Sequence, residues 1–548
     1  MISDLGKYWH TLRHLRPIQV YGRARLRFPR KSANLRPAPP VRNATGVWVE
    51  PAHRGPSVVG PSTLRFLNES ANLGDDGWDD QNVSKLWRYN LHYFDDLNAV
   101  DARSRVRWHK ALLQRWVAEN PPGKGTGWEP YPTSLRIVNW IKWSLAGNQL
   151  PVECVQSLAV QTRWLADRLE IHLLGNHLFA NAKALVFAGS FFEGDESGGW
   201  LERGLKLLDR EIREQILPDG GHFERSPMYH ALALEDILDL CNVAAAFSGK
   251  VSRVAQPREE WRAHVGPMRH WLVAMCHPDG EISFFNDAAF GIAASPREVD
   301  QYGVRLGFGG TPVLAETEQL PDSGYIRLEA GPAVAILDVG LVGPDYLPAH
   351  AHADTLSFEL SLFGARVLVN SGTSVYETGE ERDQQRGTAA HNTVTIDGAD
   401  SSEVWGGFRV ARRARPADLS IEFRERIVRC SHDGFDRLPG SPRHTRTWEL
   451  TSRALRVEDR VFGKFHQAEA RFHLHPSVVA DAALVGDRPD AVSLRLAAGK
   501  HVRMDFDGGK VKYQKTSWHR EFGLAEPNTC LVVEFDGPVL TTHISWGD

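Results

Sequence analysis

Apolar residues recur at three- and four-residue intervals through much of the first half of the chain. The segments are 101–118, 133–146, 155–171, 177–190, 198–217, 227–248 and 258–276, and that period predicts amphipathic helices. The connections, such as PPGKGTG and LPDGG, are short and carry Gly, Pro or Asn. Successive antiparallel helices of this kind make a bundle or a toroid. No sequence repeat of fixed period is visible. Near residue 320 the texture changes. YIRLEAGPAVAILDVG is followed by short alternating runs, among them TLSFELSLFG, ARVLVNSG, HNTVTIDG, RHTRTWELTS and ALRVEDRVFG. Alternation at period two between turn residues predicts an antiparallel β-sandwich. Residues 278–320 form the Gly- and Pro-punctuated linker region. Residues 1–80 are an Arg- and Pro-rich arm with little periodicity, which either wraps the helical body or hangs as a tail.

The length of 548 residues exceeds what one core can hold, so the expected class is α+β in two domains. The net charge of -4 and the pI of about 6.7 do not suit a nucleic-acid binder, which would be basic. An acidic ligand would have to be held by local Arg and His clusters. Cys154, Cys241, Cys276, Cys430 and Cys530 are scattered and odd in number, which argues against a disulfide framework. The opening MISDLGKYWHTLRHLRPIQV lacks the continuous apolar core of a signal peptide, and no stretch is apolar enough to span a bilayer. A cytoplasmic location is expected, or a periplasmic or secreted one if a leader is missing.

Four segments concentrate reactive side chains. In GNHLFANAKALVF, Asn176 and His177 stand at a helix start, where free N–H groups and the dipole favour an anion. The same residues also read as an ordinary N-cap and a surface pair with Asn181. In DGGHFERSPMYH, Ser226 and Pro227 predict a helix start, with Tyr229 in its first turn near His222, Arg225 and His230. Cationic neighbours would favour the phenolate and make Tyr229 a proton-transfer group; packing against the next helix is the alternative. In PAHAHADTLSFELSLFG, His350, His352 and Asp354 should project together from the start of a strand that continues through Leu356 and Phe358. Two His at this spacing suit a metal but are too few for a closed site. In NSGTSVYETGEERDQQRGTAAHNTVTIDG, Arg382 and Arg386 precede a strand that His391 begins, and they could hold carboxylates or sulfates. For Arg382 a solvated loop is an equal alternative. Sugar contacts are expected from Trp87, His92, Tyr93, Trp128, Arg136, His222, Arg225 and Arg386, although most aromatics of LWRYNLHYFDDL and GWEPYPTSLRIVNW should be core.

From NLHYFDDL to FRVARRA, the ordered motifs GNHLFANAKAL, DGGHFERSPMYH, HAHADTLSFEL, LVNSGTSVYE and GTAAHNTVTIDG resemble the heparinase II/III group of polysaccharide lyases. The resemblance implies an incomplete (α/α) toroid over 81–315 and a β-sandwich over 316–548. It implies β-elimination on a 4-linked uronic acid of an acidic polysaccharide, with a bacterial surface or exopolysaccharide as one candidate. Asn176 and His177 would neutralise the carboxylate, and Tyr229 and His350 would move protons, with the choice of base left to the C5 stereochemistry. No cofactor is required, and His352, Asn370 and His391 correspond to the position of a structural zinc in part of the family. Asn370 departs from the acidic residue often found there, and Ala180 stands where some relatives have Glu. Two rivals remain. A glycoside hydrolase would need two carboxyl groups, from Asp219, Glu224, Asp287 and Asp354. A non-catalytic polysaccharide-binding or assembly protein would bind without turnover.

Overall fold

The computed structural model describes residues 2–28, 31–74, 77–248, 255–310, 312–481, 490–497 and 499–547. Two helices, α1 (Ile2–Leu12) and α2 (Pro17–Arg25), open the chain; the sequence pattern had not shown them. The helical body follows as α3 (Lys85–Tyr93), α4 (Val106–Glu119), α5 (Pro130–Leu145), α6 (Val152–Ala166), α7 (Gly175–Phe191), α8 (Asp195–Gln215), α9 (Pro227–Ala246), α10 (Ala255–Ala274) and α11 (Pro296–Arg305). The starts follow local chemistry. Ser84 Oγ accepts from Trp87 N at 3.0 Å to cap α3, and Ser226 Oγ accepts from Tyr229 N at 3.2 Å to cap α9. Pro130 and Pro227 occupy first-turn positions where no amide partner is lost.

The helices form an incomplete α/α toroid around one apolar cluster that includes Trp116, Trp128, Trp140, Leu185 and Leu238. Trp116 meets Trp140 edge to face at 5.7 Å, and the Arg136 guanidinium lies 3.9 Å over the Trp116 ring. The arm wraps this body. Arg42 N donates to Phe191 O, Gly46 N to Ala246 O, and Ser57 N and Val58 N share Asp96 Oδ2 at 2.7 and 2.9 Å.

Among the described residues, the C-terminal half holds three larger antiparallel sheets and a two-stranded ribbon, Val404–Trp405 with Arg409–Val410. Five strands run in sequence order from Thr317–Leu320 to Ala365–Leu368. Eight strands form the largest sheet, from Pro416–Glu422 at one edge to Val479–Asp481 at the other. Four strands, Lys510–Trp518, Glu526–Phe535, Ala468–His473 and Val394–Ile396, form the third. Their inward residues, including Phe358, Trp448, Phe472 and Leu531, share one core. The two halves are bonded directly. Arg225 Nε donates to Ser323 O at 2.9 Å, Tyr325 Oη donates to Arg225 O at 2.7 Å, and Asp219 Oδ2 accepts from Ser323 N at 2.7 Å.

The strand containing Phe358 begins at Phe358, not at His350, because Leu356 has φ of +62° and breaks the extended register. Residues 350–357 are therefore loop. His391 likewise precedes its strand, which starts at Val394.

The loop after Leu368 carries Tyr376 toward the toroid and is clamped at Gly372. There φ is +75°, and an added Cβ would lie 2.2 Å from His519 O. Gly372→Ala should destabilise the protein by about 2–4 kcal/mol, as strained backbone and a blocked close approach together do. A thermal melt checks this; a melting temperature unchanged from the parent would show that the loop relaxes freely.

Candidate active site

The site is organised by a carboxylate that the helical part supplies to the β domain. Asp287 sits in the loop before α11, fully buried. Arg382 of α12 (Glu380–Arg386) grips both carboxylate oxygens, with Nη2 to Oδ2 at 2.7 Å. His350 Nδ1 lies 2.8 Å from Oδ2, His352 Nε2 lies 2.8 Å from Oδ1, and Thr373 Oγ1 donates to Oδ1 at 3.2 Å. Burial would push this carboxyl up, but the Arg382 charge and the histidine hydrogen bonds hold it well below the usual carboxylate range. An ionised Asp287 fixes the hydrogen on His350 Nδ1 and leaves Nε2 as the basic nitrogen. The same residue sets Tyr229. Ser226 Oγ, which caps α9, donates to Asp287 O at 2.5 Å.

Tyr229 and His350 consequently face each other with ring centroids 4.0 Å apart. Tyr229 Oη lies 2.9 Å from Tyr376 Oη. Burial, reinforced by Tyr376 and Asp287, pushes the Tyr229 phenol well above its ordinary value. Tyr229 is thus a neutral phenol, contrary to the expected phenolate, because its cationic neighbours turn elsewhere. Arg225 is spent on the carbonyls of Ser323 and Asp322. His222 lies 3.2 Å from Gln215 Oε1, and burial lowers it to about 3.

Opposite this pair, Gly175 (φ +53°) lets α7 start against Leu347 and Glu224, where a Cβ would clash. Asn176 and His177 then line a cavity of about 550 Å³ together with Tyr229, His350, Tyr376 and Phe408. His177 stacks on Tyr131 at 4.4 Å, and its Nδ1 is 3.0 Å from Glu170 Oε1. Burial works against its charged form, but the Glu170 carboxylate, with Glu224 and Glu129 adding to it, outweighs burial and the pKa rises. With Nδ1 turned to Glu170, Nε2 is the ring nitrogen left for a ligand, and it carries a hydrogen in the charged form that Glu170 favours.

Several expected contacts are elsewhere. Trp87, His92, Trp128 and Arg136 are core: Trp87 Nε1 donates to Glu69 O, Trp128 Nε1 to Asn120 O, and Arg136 to the carbonyls of His92 and Gly127. His92 receives Trp116 Nε1, and burial lowers it to about 3. Arg386 is fully buried and donates to Ala351 O, so it is not a substrate contact. Arg225 belongs to the domain junction. Tyr93 and His222 do line the cavity. The sequence did not single out Tyr376 or Glu170, nor Asp287 as an orienting group. Tyr376 lies inside the motif LVNSGTSVYE, which was its only signal.

The three candidate metal residues do not fit a closed site. His352 Nδ1 and His391 Nε2 are 3.1 Å apart, in direct hydrogen-bond contact. Asn370 turns away, donating to Phe284 O and accepting from Asn392 N. The cationic partner of Asp287 is Arg382. The candidate hydrolase carboxyls fit no better. Asp219 and Asp354 accept backbone N–H groups of Ser323 and Asn286, Asp287 is paired, and none of these or Glu224 contributes to the cavity wall. Glu224 has no hydrogen-bond partner among the described residues, lies 3.8 Å from His350 Nε2, and is raised by burial against the pull of His350 and His177.

Glu170→Gln should lower the His177 pKa, because it removes the largest of the carboxylate contributions that work against burial. A raised histidine pKa contributes stability at acid pH that is lost as pH climbs through the folded value; the variant should lose that acid-side increment. Histidine NMR titration reads the first effect and melts across pH the second, and an unshifted His177 would contradict the pairing.

Comparison with known proteins agrees with this architecture. The "Heparinase II/III N-terminus" profile matches residues 78–302 and "Heparinase II/III-like, C-terminal" matches residues 312–547. A heparin-sulfate lyase of Bacteroides stercoris is 27% identical over 255 residues, 41% of this chain and 37% of that protein. The chain thus matches well under half of that curated relative's length. FtsZ-localized protein C of Caulobacter vibrioides is 26% identical over 512 residues, 84% of each chain. A crystal structure of heparinase III shares the fold with TM-score 0.67 at 17% identity, over 87% of this chain and 80% of that one. A heparan sulfate lyase of Pedobacter heparinus does so with TM-score 0.58 at 19% identity, over 89% and 81%. With both profiles matched in order across toroid and β domain, the chain belongs to the heparinase II/III family.

Proposed function

We propose that this protein is a polysaccharide lyase that cleaves a 4-linked uronate in an acidic polysaccharide by β-elimination. The observation that carries the proposal is the Tyr229–His350 pair at one wall of a cavity whose other wall presents Asn176 and His177. The C5 proton of a uronate is weakly acidic until its carboxylate charge is met. Asn176 and the His177 Nε2–H supply that electrostatic stabilisation from the start of α7. His350 Nε2 takes the C5 proton, the C4–O4 bond breaks, and a C4–C5 double bond forms. The neutral Tyr229 phenol donates its proton to the departing O4, and the Tyr376 hydroxyl stabilises the phenolate left behind. Tyr89, Tyr93 and Tyr131 on the cavity wall offer faces for sugar rings.

A second reading has one observation in its favour. The relative that aligns over 84% of each chain is named for localisation with FtsZ, which suits a protein that binds a polymer without turning it over. Screening uronate polymers for the ultraviolet absorbance of the conjugated product separates the two.

Tyr229→Phe should lower kcat by roughly 10²–10⁴-fold, the usual worth of a general acid–base group, with KM little changed. A loss confined to KM would make Tyr229 a binding residue. Unchanged kcat would contradict the proposed proton transfer.

A further inference from the structure

The first two helices take no part in the chemistry above, and they turn their apolar sides outward. On α1, Leu5, Tyr8, Trp9 and Leu12 recur at helical spacing, and all four are exposed, Leu5 at 70% and Trp9 at 66%. The side that meets the β domain carries Thr11, whose Oγ1 receives Trp405 Nε1 at 3.2 Å, and the edge of half-exposed Tyr8, whose ring meets Trp405 at 4.8 Å. On α2, Gln19 and Gly22 face the protein and are buried, while Ile18, Val20 and Tyr21 are exposed. Leu26 and Phe28, the latter 69% exposed, continue the patch. Of the 24 large apolar side chains exposed among the described residues, ten lie between Leu5 and Leu35. That is a concentration along one segment rather than the scatter normal for a surface.

The same segment is the basic part of an acidic chain. Residues 1–31 contain eight Lys and Arg against one Asp, although the whole protein has a net charge of -4. Arg13, Arg23, Arg25 and Arg27 are exposed. Beside α1 a hollow of about 260 Å³ is lined by Arg13, His14, Arg412, Arg415 and Arg437, with Asp433 and Asp436 also on its wall.

We propose that α1 and α2 form an interfacial docking surface for an anionic phospholipid bilayer. Their apolar faces enter the boundary between headgroups and acyl chains, Trp9 and the tyrosines sit at headgroup depth, and the flanking arginines meet lipid phosphates. The helices lie on the membrane and do not cross it; none among the described residues is long and apolar enough to span. Charge selects this occupant over others. A second copy of the chain would bring the same cations face to face, and an acidic polysaccharide would satisfy the arginines while leaving the apolar faces in water.

Sedimentation of the full-length protein with vesicles tests the proposal. The protein should pellet with equal parts phosphatidylglycerol and phosphatidylcholine, stay in solution with phosphatidylcholine alone, and be released by high salt. Trp9→Glu and the double variant Arg23→Glu/Arg25→Glu change exposed side chains, so each should melt like the parent while lowering the bound fraction at least tenfold. No pelleting of the parent with anionic vesicles overturns the proposal, as does undiminished pelleting of both variants. A parent that is dimeric without vesicles, and that Trp9→Glu makes monomeric, would also overturn it by showing that a second copy covers the face.

Discussion

The buried ion pair between Asp287 and Arg382 is the contact on which the rest of the site depends. Neither side chain touches water, and a lone buried charge of either sign would be strongly unfavourable. Pairing makes the carboxylate permanent. A permanent carboxylate fixes the His350 tautomer through Nδ1 and accepts His352 on its other oxygen. The backbone of Asp287 does as much: its carbonyl holds the Ser226 cap that places Tyr229, and its amide donates to His350 O. One residue from the toroid's last loop thereby positions a phenol on a helix and an imidazole on a β-domain loop, on opposite sides of the domain junction.

That arrangement explains why the two groups differ in character. His350 has a carboxylate behind its Nδ1, whereas burial, with Tyr376 and Asp287 adding to it, holds Tyr229 as a neutral phenol. His177 shows the opposite balance, being buried but drawn toward the charged form by Glu170. In the proposed elimination, the cavity would present an imidazole and amide wall to the carboxylate and the Tyr229–His350 pair to the sugar carbons.

Residue pattern made much of this visible. The helical period located α4 to α10 but neither α3 nor α11, which fell in an aromatic cluster and in the expected linker; the alternation located the strands, and three clusters of polar residues contained Asn176, His177, Tyr229 and His350. What stayed hidden depended on long-range packing. Asp287 lay in a segment that looked like linker, and only its three-dimensional neighbours give it a role. Arg382 and Arg386 looked like loop cations, yet both are fully buried. Trp87, Trp128 and Arg136 have the composition of a sugar site but pack into the toroid core. Leu356 looked like part of a strand until its left-handed backbone was seen. Periodicity reports which face is apolar; it does not report what a polar side chain meets across the fold.

Elimination and hydrolysis of the same linkage leave products of different mass. The most direct measurement is the mass of the oligosaccharides released from a uronate polymer. Elimination leaves each new non-reducing end unsaturated and lighter by one water than the corresponding hydrolysis product. Products with that deficit, lost together with turnover in His350→Ala, are the predicted result. Fully hydrated products would contradict the account.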